Sequence, residues 1–332
     1  MSHRISVQET GAAFRALPGE PLLEAATRQG VGLPHECTFG GCGTCRIKLL
    51  QGRVDYEEMP LALAPEEAEA GYALACQARA CSDLVISVER DDAPPAERRQ
   101  AVVRSVRPWS PDVASLQLEI EGGALQYRPG QYMNVLLESG VHRSFSMASA
   151  PAGNRVDFHV RRIPGGRFTD AALQQLAAGE RLDVEIPLGR FRYHEEDYRP
   201  LVMAATGTGL APLKSMLEAL MDDADCPPVS LYWGGRTEAD LYLAHEIRAW
   251  GERLYEFDFV PVLSRPHAGW TGRRGYVQDA VAADFPDLSE HAIYLCGSPT
   301  MIGAAKHRFL ELGASAGHVY VDGFTFQPEA VA

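Results

Sequence analysis

Three cysteines and three glycines crowd the nine residues CTFGGCGTC (Cys37–Cys45). Cys37, Cys42 and Cys45 stand at C-x4-C-x2-C spacing, and Cys76, in ALACQAR, follows after thirty intervening residues. That is the plant-type [2Fe–2S] pattern. Two irons bridged by sulfide need four thiolates, and a single loop can supply three of them. Gly40, Gly41 and Gly43 would let the backbone pass close to such a cluster and free amide N–H groups to bond its sulfurs. Structural zinc is the competing reading, although zinc prefers paired C-x2-C hooks and this chain offers only one. A disulfide is disfavoured if the protein stays in a reducing compartment. Cys81 falls outside the spacing and reads as an ordinary small residue; Cys226, in DADCPP, reads as an incidental loop thiol.

Five further stretches carry chemistry. HRSFSMAS offers Arg143, Phe145 and Ser146 at R-x-F-S spacing on a strand. HVRRIPGGRFT (His159–Thr169) puts arginines on a strand, then a Gly-Gly turn opening onto a helix with Thr169, and IPLGRF (Ile186–Phe191) follows. A helix start of that kind presents free N–H groups to phosphate. MAATGTGLAPLKSML runs an apolar strand into Gly207, Thr208 and Gly209, then into a helix with Leu210, Leu213, Leu217 and Leu220 at helical spacing. Glycines there would let a pyrophosphate approach the helix N-terminus, but Pro212 stands where the G-x-G-x-x-G fingerprint has its third glycine. Taken alone, the motif fits a plain glycine turn equally well. YLCGSP places Cys296 and Gly297 at the end of a buried strand, where a lone cysteine is more often core than ligand-facing. His159 and His245 read as structural or surface histidines.

These residues need elements to position them. A chain of 332 residues suits two or three domains, and 46% hydrophobic with 23% charged residues is a globular composition. A net charge of −13 argues against a nucleic-acid-binding face, and positions 1–90 carry twelve acidic against eight basic residues. This leaves an acidic docking face for a basic partner open beside the plainer reading of a solubilising surface. MSHRISVQET shows no secretory pattern, and no apolar stretch approaches about twenty residues. The expectation is a cytoplasmic protein without a membrane anchor. RDDAPPAERRQ (Arg90–Gln100) reads as a linker, and RYHEEDYRP (Arg192–Pro200) as a weaker seam. Before the linker, RISVQET and AAFRAL suit a hairpin, PLLEAATRQ a short helix, and CRIKLLQG and DLVISVER strands. The middle segment is dense in short β patterns and predicts a small antiparallel barrel. The last segment alternates strand and helix, which predicts a doubly wound parallel sheet with ligand at the carboxyl ends of its strands.

The order of the motifs along the whole chain (cluster loop, R-x-F-S barrel, T-G-T-G turn, C-G strand end) resembles the ferredoxin–NAD(P)H reductase superfamily. In particular it resembles the fused reductase components of bacterial multicomponent oxygenases, and it is also similar to the iron–sulfur flavin reductase of CDP-hexulose (dideoxysugar) biosynthesis. The resemblance implies a multidomain α+β and α/β fold: a β-grasp ferredoxin domain over 1–91, a linker over 92–98, a Greek-key β-barrel FAD domain over 99–196, and a doubly wound NAD domain over 197–332. It implies that Cys37, Cys42, Cys45 and Cys76 hold the cluster. Arg143 would pair with the flavin pyrophosphate, Phe145 would lie against the flavin, and Ser146 would reach toward its N5. Val160 and Arg161 would line the ribityl and phosphate region, and Gly166, Arg167 and Thr169 would form the phosphate-binding helix start. Gly207, Thr208 and Gly209 would hold the dinucleotide, with Cys296 and Gly297 beside the nicotinamide. Phe324, in VDGFTF, would cover the other flavin face, so that Ser146, Cys296 and Phe324 are the catalytic candidates.

A nicotinamide gives up two electrons together, whereas a cluster accepts one at a time, and a flavin can do both. The implied function is an NADH-dependent reductase relaying electrons from NADH to FAD to [2Fe–2S] and on to an oxygenase component that hydroxylates aromatic rings. NADPH is the lesser expectation, because Arg236 is accompanied by Glu238 and Asp240, and an acid suits a free ribose hydroxyl. The alternatives are the same relay serving a CDP-hexulose dehydratase, or a non-enzymatic metal-binding carrier. The expected partner is a protein electron acceptor, with no nucleic acid and no membrane, and no leftover heptad or apolar face argues for more than a monomer.

Overall fold

The structure is a computed structural model that describes residues 2–35, 37–88, 94–137, 141–221 and 223–324. It divides into two compact units, one of residues 1–92, 287–289 and 298–332, the other of residues 93–286 and 290–297. Residues 89–93, which include the start of the stretch read as a linker, lie outside the described residues.

The first unit begins with β1 (His3–Val7), β2 (Ala13–Ala16), α1 (Leu22–Arg28), β3 (Arg46–Gln51), β4 (Val54–Asp55), α2 (Pro65–Glu69), β5 (Tyr72–Leu74), β6 (Arg79–Ala80) and β7 (Leu84–Ser87). Its main sheet has the order β2-β1-β7-β3-β5, with β1 and β7 parallel and the other pairs antiparallel. Alternation selects the inner face: Ile5 and Val7 on β1, Phe14 and Ala16 on β2, and Leu84 and Ile86 on β7 are buried. Leu22, Leu23, Ala25 and Ala26 turn one face of α1 into that core. The predicted hairpin, helix and two long strands are present. The short β4, β5, β6 and α2 have too few residues to show a period.

The second unit opens with β8 (Glu97–Pro108), β9 (Val113–Ile120), β10 (Tyr132–Leu136), β11 (His142–Ser146) and β12 (Arg155–Arg161). A π-helical turn (Arg167–Ala172), α3 (Leu173–Gln175) and β13 (Arg181–Leu188) complete this part. These strands form one antiparallel sheet in the order β11-β10-β13-β8-β9-β12, and a bridge between Met147 and Phe158 links its two edges. Val103, Leu116, Leu118, Phe158 and Val184 fill its core.

There follow β14 (Leu201–Thr206), α4 (Leu210–Leu220), β15 (Val229–Gly235), α5 (Ala244–Ala249), β16 (Phe257–Leu263), β17 (Arg273–Arg274), α6 (Val277–Asp284) and β18 (Ala292–Gly297). Within the unit these strands are parallel, in the order β17-β16-β15-β14-β18. β14 and β18 are apolar almost throughout, as expected of strands covered on both faces. Within the segment expected to alternate strand and helix, EADLYLAHEIRAW forms a 3-10 turn (Glu238–Asp240) and the short α5, because Asp240 folds back to cap the turn.

The first unit is completed by α7 (Pro299–Glu311) and β19 (Val319–Gly323). The Ser298 hydroxyl caps α7, accepting from the Met301 amide at 3.3 Å, with Pro299 in the first turn. Among the described residues, no helix is long and apolar enough to cross a membrane.

Candidate functional site

The four thiols of the spacing motif come together as two pairs. Cys45 Sγ lies 3.1 Å from Cys76 Sγ. Cys37 Sγ accepts from the amides of Gly41 and Cys42, each at 3.3 Å, and from the Cys42 thiol. The Cys42 hydrogen bond, aided by those amides and opposed by burial, pulls the Cys37 thiol down to about 5. The bond Cys45 gives to Cys76, with burial, pushes the Cys45 thiol up, and the same bond pulls Cys76 down. No three His, Cys, Asp or Glu side chains among the described residues converge as a single ion would require. Two thiol pairs with amides aimed at sulfur fit a two-iron cluster better than one tetrahedral zinc. Gly40 adopts φ +80°, and a Cβ there would lie 2.8 Å from Pro60 Cβ, so the loop can pass under Pro60 only with glycine.

In the second unit, Arg143 and Phe145 share one face of β11, and Ser146 is buried on the other. Opposite them on β10 stand Val135, Met133 and Tyr132. The Phe145 ring lies 5.3 Å from the ring of Phe168, which brings the R-x-F-S strand against the turn carrying Gly166, Arg167 and Thr169. Thr169 Oγ1 accepts from the Ile163 amide at 3.3 Å, closing that turn. The Val160 side chain is wholly in the core. Arg161 pairs with Asp112 at 3.3 Å and Asp240 at 3.4 Å, and its guanidinium stands over Gly207. The structure therefore sets Arg161 beside the T-G-T-G turn.

That turn joins β14 to α4 as a 3-10 segment (Gly207–Gly209), with Thr208 half-buried. Trp233 Nε1 donates to the Gly207 carbonyl at 2.9 Å. A Cβ on Gly209 would lie 2.3 Å from the Cys296 carbonyl oxygen, so only glycine admits β18 this close. Cys296 is fully buried, and Gly297 beside it takes φ +145°. Pro212 falls in the first turn of α4, where an amide hydrogen is not needed. From α4, Lys214 Nζ donates to the Ala148 carbonyl at 2.9 Å and Ser215 Oγ to the Ser149 carbonyl at 2.5 Å, while Glu218 accepts from the Ala150 amide at 3.0 Å. These bonds tie the chain just past Ser146 to the helix that starts at the glycine turn.

His159 is buried, its Nδ1 3.0 Å from the Tyr242 hydroxyl and its ring edge-on to Trp109 at 4.9 Å. Burial, with the Lys214 charge, holds it well below the ordinary histidine value of 6.5. His245 is exposed. Both placements agree with reading them as structural or surface residues. The acids weighed as ribose contacts are engaged: Asp240 accepts from the amides of Arg236 and Thr237, each at 2.9 Å, and Glu238 pairs with His267 at 2.6 Å. Phe324 is half-buried and belongs to the first unit. Asp112 and Trp233 escaped the sequence reading, since neither stands at a motif spacing. The Trp-Gly-Gly end of β15 was the only available signal for Trp233.

Comparison with known proteins accounts for the arrangement. Residues 5–81 match a 2Fe-2S iron-sulfur cluster binding domain, 100–193 an oxidoreductase FAD-binding domain, and 203–307 an oxidoreductase NAD-binding domain. The chain is 33% identical over 334 residues to the reductase component 1 of terephthalate 1,2-dioxygenase from a Comamonas species, covering 99% of each. It is also 33% identical over 331 residues to the CDP-6-deoxy-L-threo-D-glycero-4-hexulose-3-dehydrase reductase of Yersinia pestis, covering 98% of this chain and 99% of that one. The Amycolatopsis cytochrome P450 reductase GcoB has a similar structure, with 34% identity, a TM-score of 0.71, and coverage of 97% of this chain and 98% of the other. The fold and site thus define an iron–sulfur flavoprotein with a nicotinamide dinucleotide domain. The chain belongs to the ferredoxin reductase family, among the fused reductases that include the oxygenase reductase components and the CDP-hexulose dehydrase reductase. It is an electron-transfer oxidoreductase whose cofactors are a [2Fe–2S] cluster, FAD and NAD.

Proposed function

We propose that the protein is the NADH-dependent reductase component of a multicomponent oxygenase that hydroxylates aromatic rings. The observation that carries this reading is that two thiol pairs and the Gly209–Cys296 contact stand on one chain. Its end-to-end likeness to a terephthalate dioxygenase reductase supports the choice of acceptor.

The fold details follow the same reading: a β-grasp domain over 1–91, a linker over 92–98, a closed Greek-key barrel over 99–196 and a doubly wound domain over 197–332. The Met147–Phe158 bridge supports barrel closure. Residues 92 and 93 of that linker lie outside the described residues, and β8 starts at Glu97. A cytoplasmic monomer remains the expected state.

Bound FAD would accept two electrons from NADH and release them singly to the cluster. The chain's own residues bind and align. Cys37, Cys42, Cys45 and Cys76 hold the irons, and the Gly41 and Cys42 amides point at a ligand sulfur. Arg143 supplies charge to the flavin pyrophosphate, with Gly166, Arg167 and Thr169 completing the phosphate site. Phe145 supports the isoalloxazine, Ser146 offers its hydroxyl to N5, and Phe324 covers the second face. Gly207, Thr208 and Gly209 let a pyrophosphate reach the start of α4, where Arg161 adds positive charge. Val160 contributes through backbone only. Cys296 and Gly297 form the floor under the nicotinamide.

The test is acceptor reduction. With NADH, the purified protein should reduce an aromatic-ring oxygenase component of the terephthalate type faster than a CDP-hexulose dehydratase. The dehydratase is the second reading, favoured by a relative of equal identity. Rapid reduction of the dehydratase alone would reverse the assignment.

A further inference from the structure

Within the first unit, three charged side chains from distant segments meet, two of them buried and the third half-buried. Glu67, on α2, is fully buried, and its carboxylate has three partners. Oε1 accepts from Arg46 at 3.0 Å, while Oε2 accepts from the Ala64 amide at 2.9 Å and pairs with Lys306 Nζ. Lys306, on α7, is 2% exposed and also donates to the Ala62 carbonyl at 2.7 Å. Arg46 follows Cys45 directly and reaches the carbonyls of Ala316 and Val319 at 3.0 and 3.3 Å. Its guanidinium lies 4.9 Å from the centre of the Tyr72 ring.

The same segments touch at the cysteine loop. A Cβ on Gly323 would lie 3.0 Å from the Gly41 carbonyl and 3.6 Å from Cys42 Cα. One on Gly43 would lie 3.1 Å from Val321 Cγ2. The loop backbone is therefore seated on β19, just before Phe324.

Buried ion networks add little net stability over well-packed apolar side chains, because desolvating the charges offsets their attraction. Burial pulls the Lys306 ammonium down, against the support of Glu67. What such a network does supply is register. Glu67 finds both cations only when α2, the start of β3 and α7 meet in one alignment, and any slip strands a buried charge.

We propose that Arg46, Glu67 and Lys306 form a latch that fixes the cysteine loop on the segment Pro299–Gly323 and thereby sets how fast the cluster is reduced. These are positioning residues. In the step they govern, one electron leaves the reduced flavin and one is gained by the oxidised cluster, and the latch exchanges neither electron nor proton. Tunnelling falls steeply with distance, so a loop held in one place transfers at one rate, whereas a loop sampling many places transfers over a spread of rates. The proposal rests on reading the chain as a flavin-to-cluster relay.

The holoprotein carrying Lys306→Met tests it. Removing one member of a buried network is strongly destabilising, so the equilibrium constant for the latched alignment should fall about a hundredfold or more. Rapid mixing with NADH should show flavin bleaching at the wild-type rate and cluster reduction spread from the single wild-type phase into several. Amide hydrogen exchange should rise in α2 and α7, and Lys306→Arg should restore both. Gly323→Ala alters no charge but crowds the Gly41 carbonyl, and it should split cluster reduction into several phases with flavin bleaching unchanged. Should Lys306→Met fail to retain iron, Gly323→Ala carries the kinetic test. Wild-type cluster reduction in both variants, with wild-type exchange in Lys306→Met, overturns the latch. A wild-type protein whose flavin NADH does not bleach overturns the relay reading instead, and the exchange data still judge the latch.

Discussion

The cysteine loop and the glycine turn of α4 both bring backbone close to a cofactor, but they are assembled in opposite ways. In the first, nine consecutive residues provide three thiols and the amides that face one of them. In the second, Gly209 meets Cys296 from another strand, Arg161 arrives from the antiparallel sheet, and Trp233 from β15 holds the Gly207 carbonyl. A local site carries most of its ligands in one loop, even where distant segments seat that loop. An assembled site depends on every element that feeds it. Changes in the loop should therefore remove one function cleanly, whereas changes at the turn should be graded by what the new atom meets.

Cys42→Ser should produce the largest effect. Iron content should fall and reduction of protein acceptors should be abolished, while NADH-driven ferricyanide reduction survives. Undiminished protein-acceptor turnover would break the distinction between the two sites.

Gly209→Ala comes next. Its Cβ would stand 2.3 Å from a backbone carbonyl that cannot swing aside, so the glycine turn and the end of β18 must separate. Misplacement on that scale should slow NADH-driven flavin bleaching about a hundredfold, with iron content unchanged. Gly207→Ala should cost less. Here the residue meets only the movable Arg161 guanidinium, at 3.3 Å, and the penalty is the left-handed φ of +57°. That strain is worth about 1 kcal/mol, or roughly a fivefold effect. Equal losses at the two glycines would show that the turn is not graded in this way.

The last effect concerns pH and is read on stability rather than on rate. His159 is held below the ordinary value of 6.5, so on acidification the unfolded chain takes up a proton that the folded one refuses. Its contribution to stability is thus complete above that value and is lost as pH falls from there toward the lowered folded value. Thermal unfolding at about pH 7 and about pH 5.5 should show a loss that His159→Phe reduces, by up to about 1.4 kcal/mol per pH unit. Identical pH dependence in the two proteins would contradict this.

What the sequence discloses follows the same division. The cluster loop is legible because thiol spacing is itself the geometry, and glycine is the residue that a tight loop demands. The T-G-T-G turn is legible as a turn, but its closeness to Cys296 is a tertiary fact that no local pattern announces. Asp240 shows how a local reading can mislead, since its carboxylate, weighed as a ribose contact, is occupied in capping its own turn and pairing Arg161. Lys306 and Glu67 look like ordinary solvent-facing charges on their helices, and only packing reveals them as buried partners. The strands of the sheets were legible wherever they ran long enough to alternate or to stay apolar. Two-residue strands such as β4 and β6 were not.

The central claim is that one chain takes electrons in pairs and releases them singly through bound iron. Anaerobic addition of NADH to the isolated protein, followed by visible absorption and low-temperature electron paramagnetic resonance, tests it most directly. The account predicts bleaching of the flavin followed by the signal of a reduced [2Fe–2S] cluster. Flavin bleaching with no cluster signal, in material that contains iron and acid-labile sulfide, would contradict it.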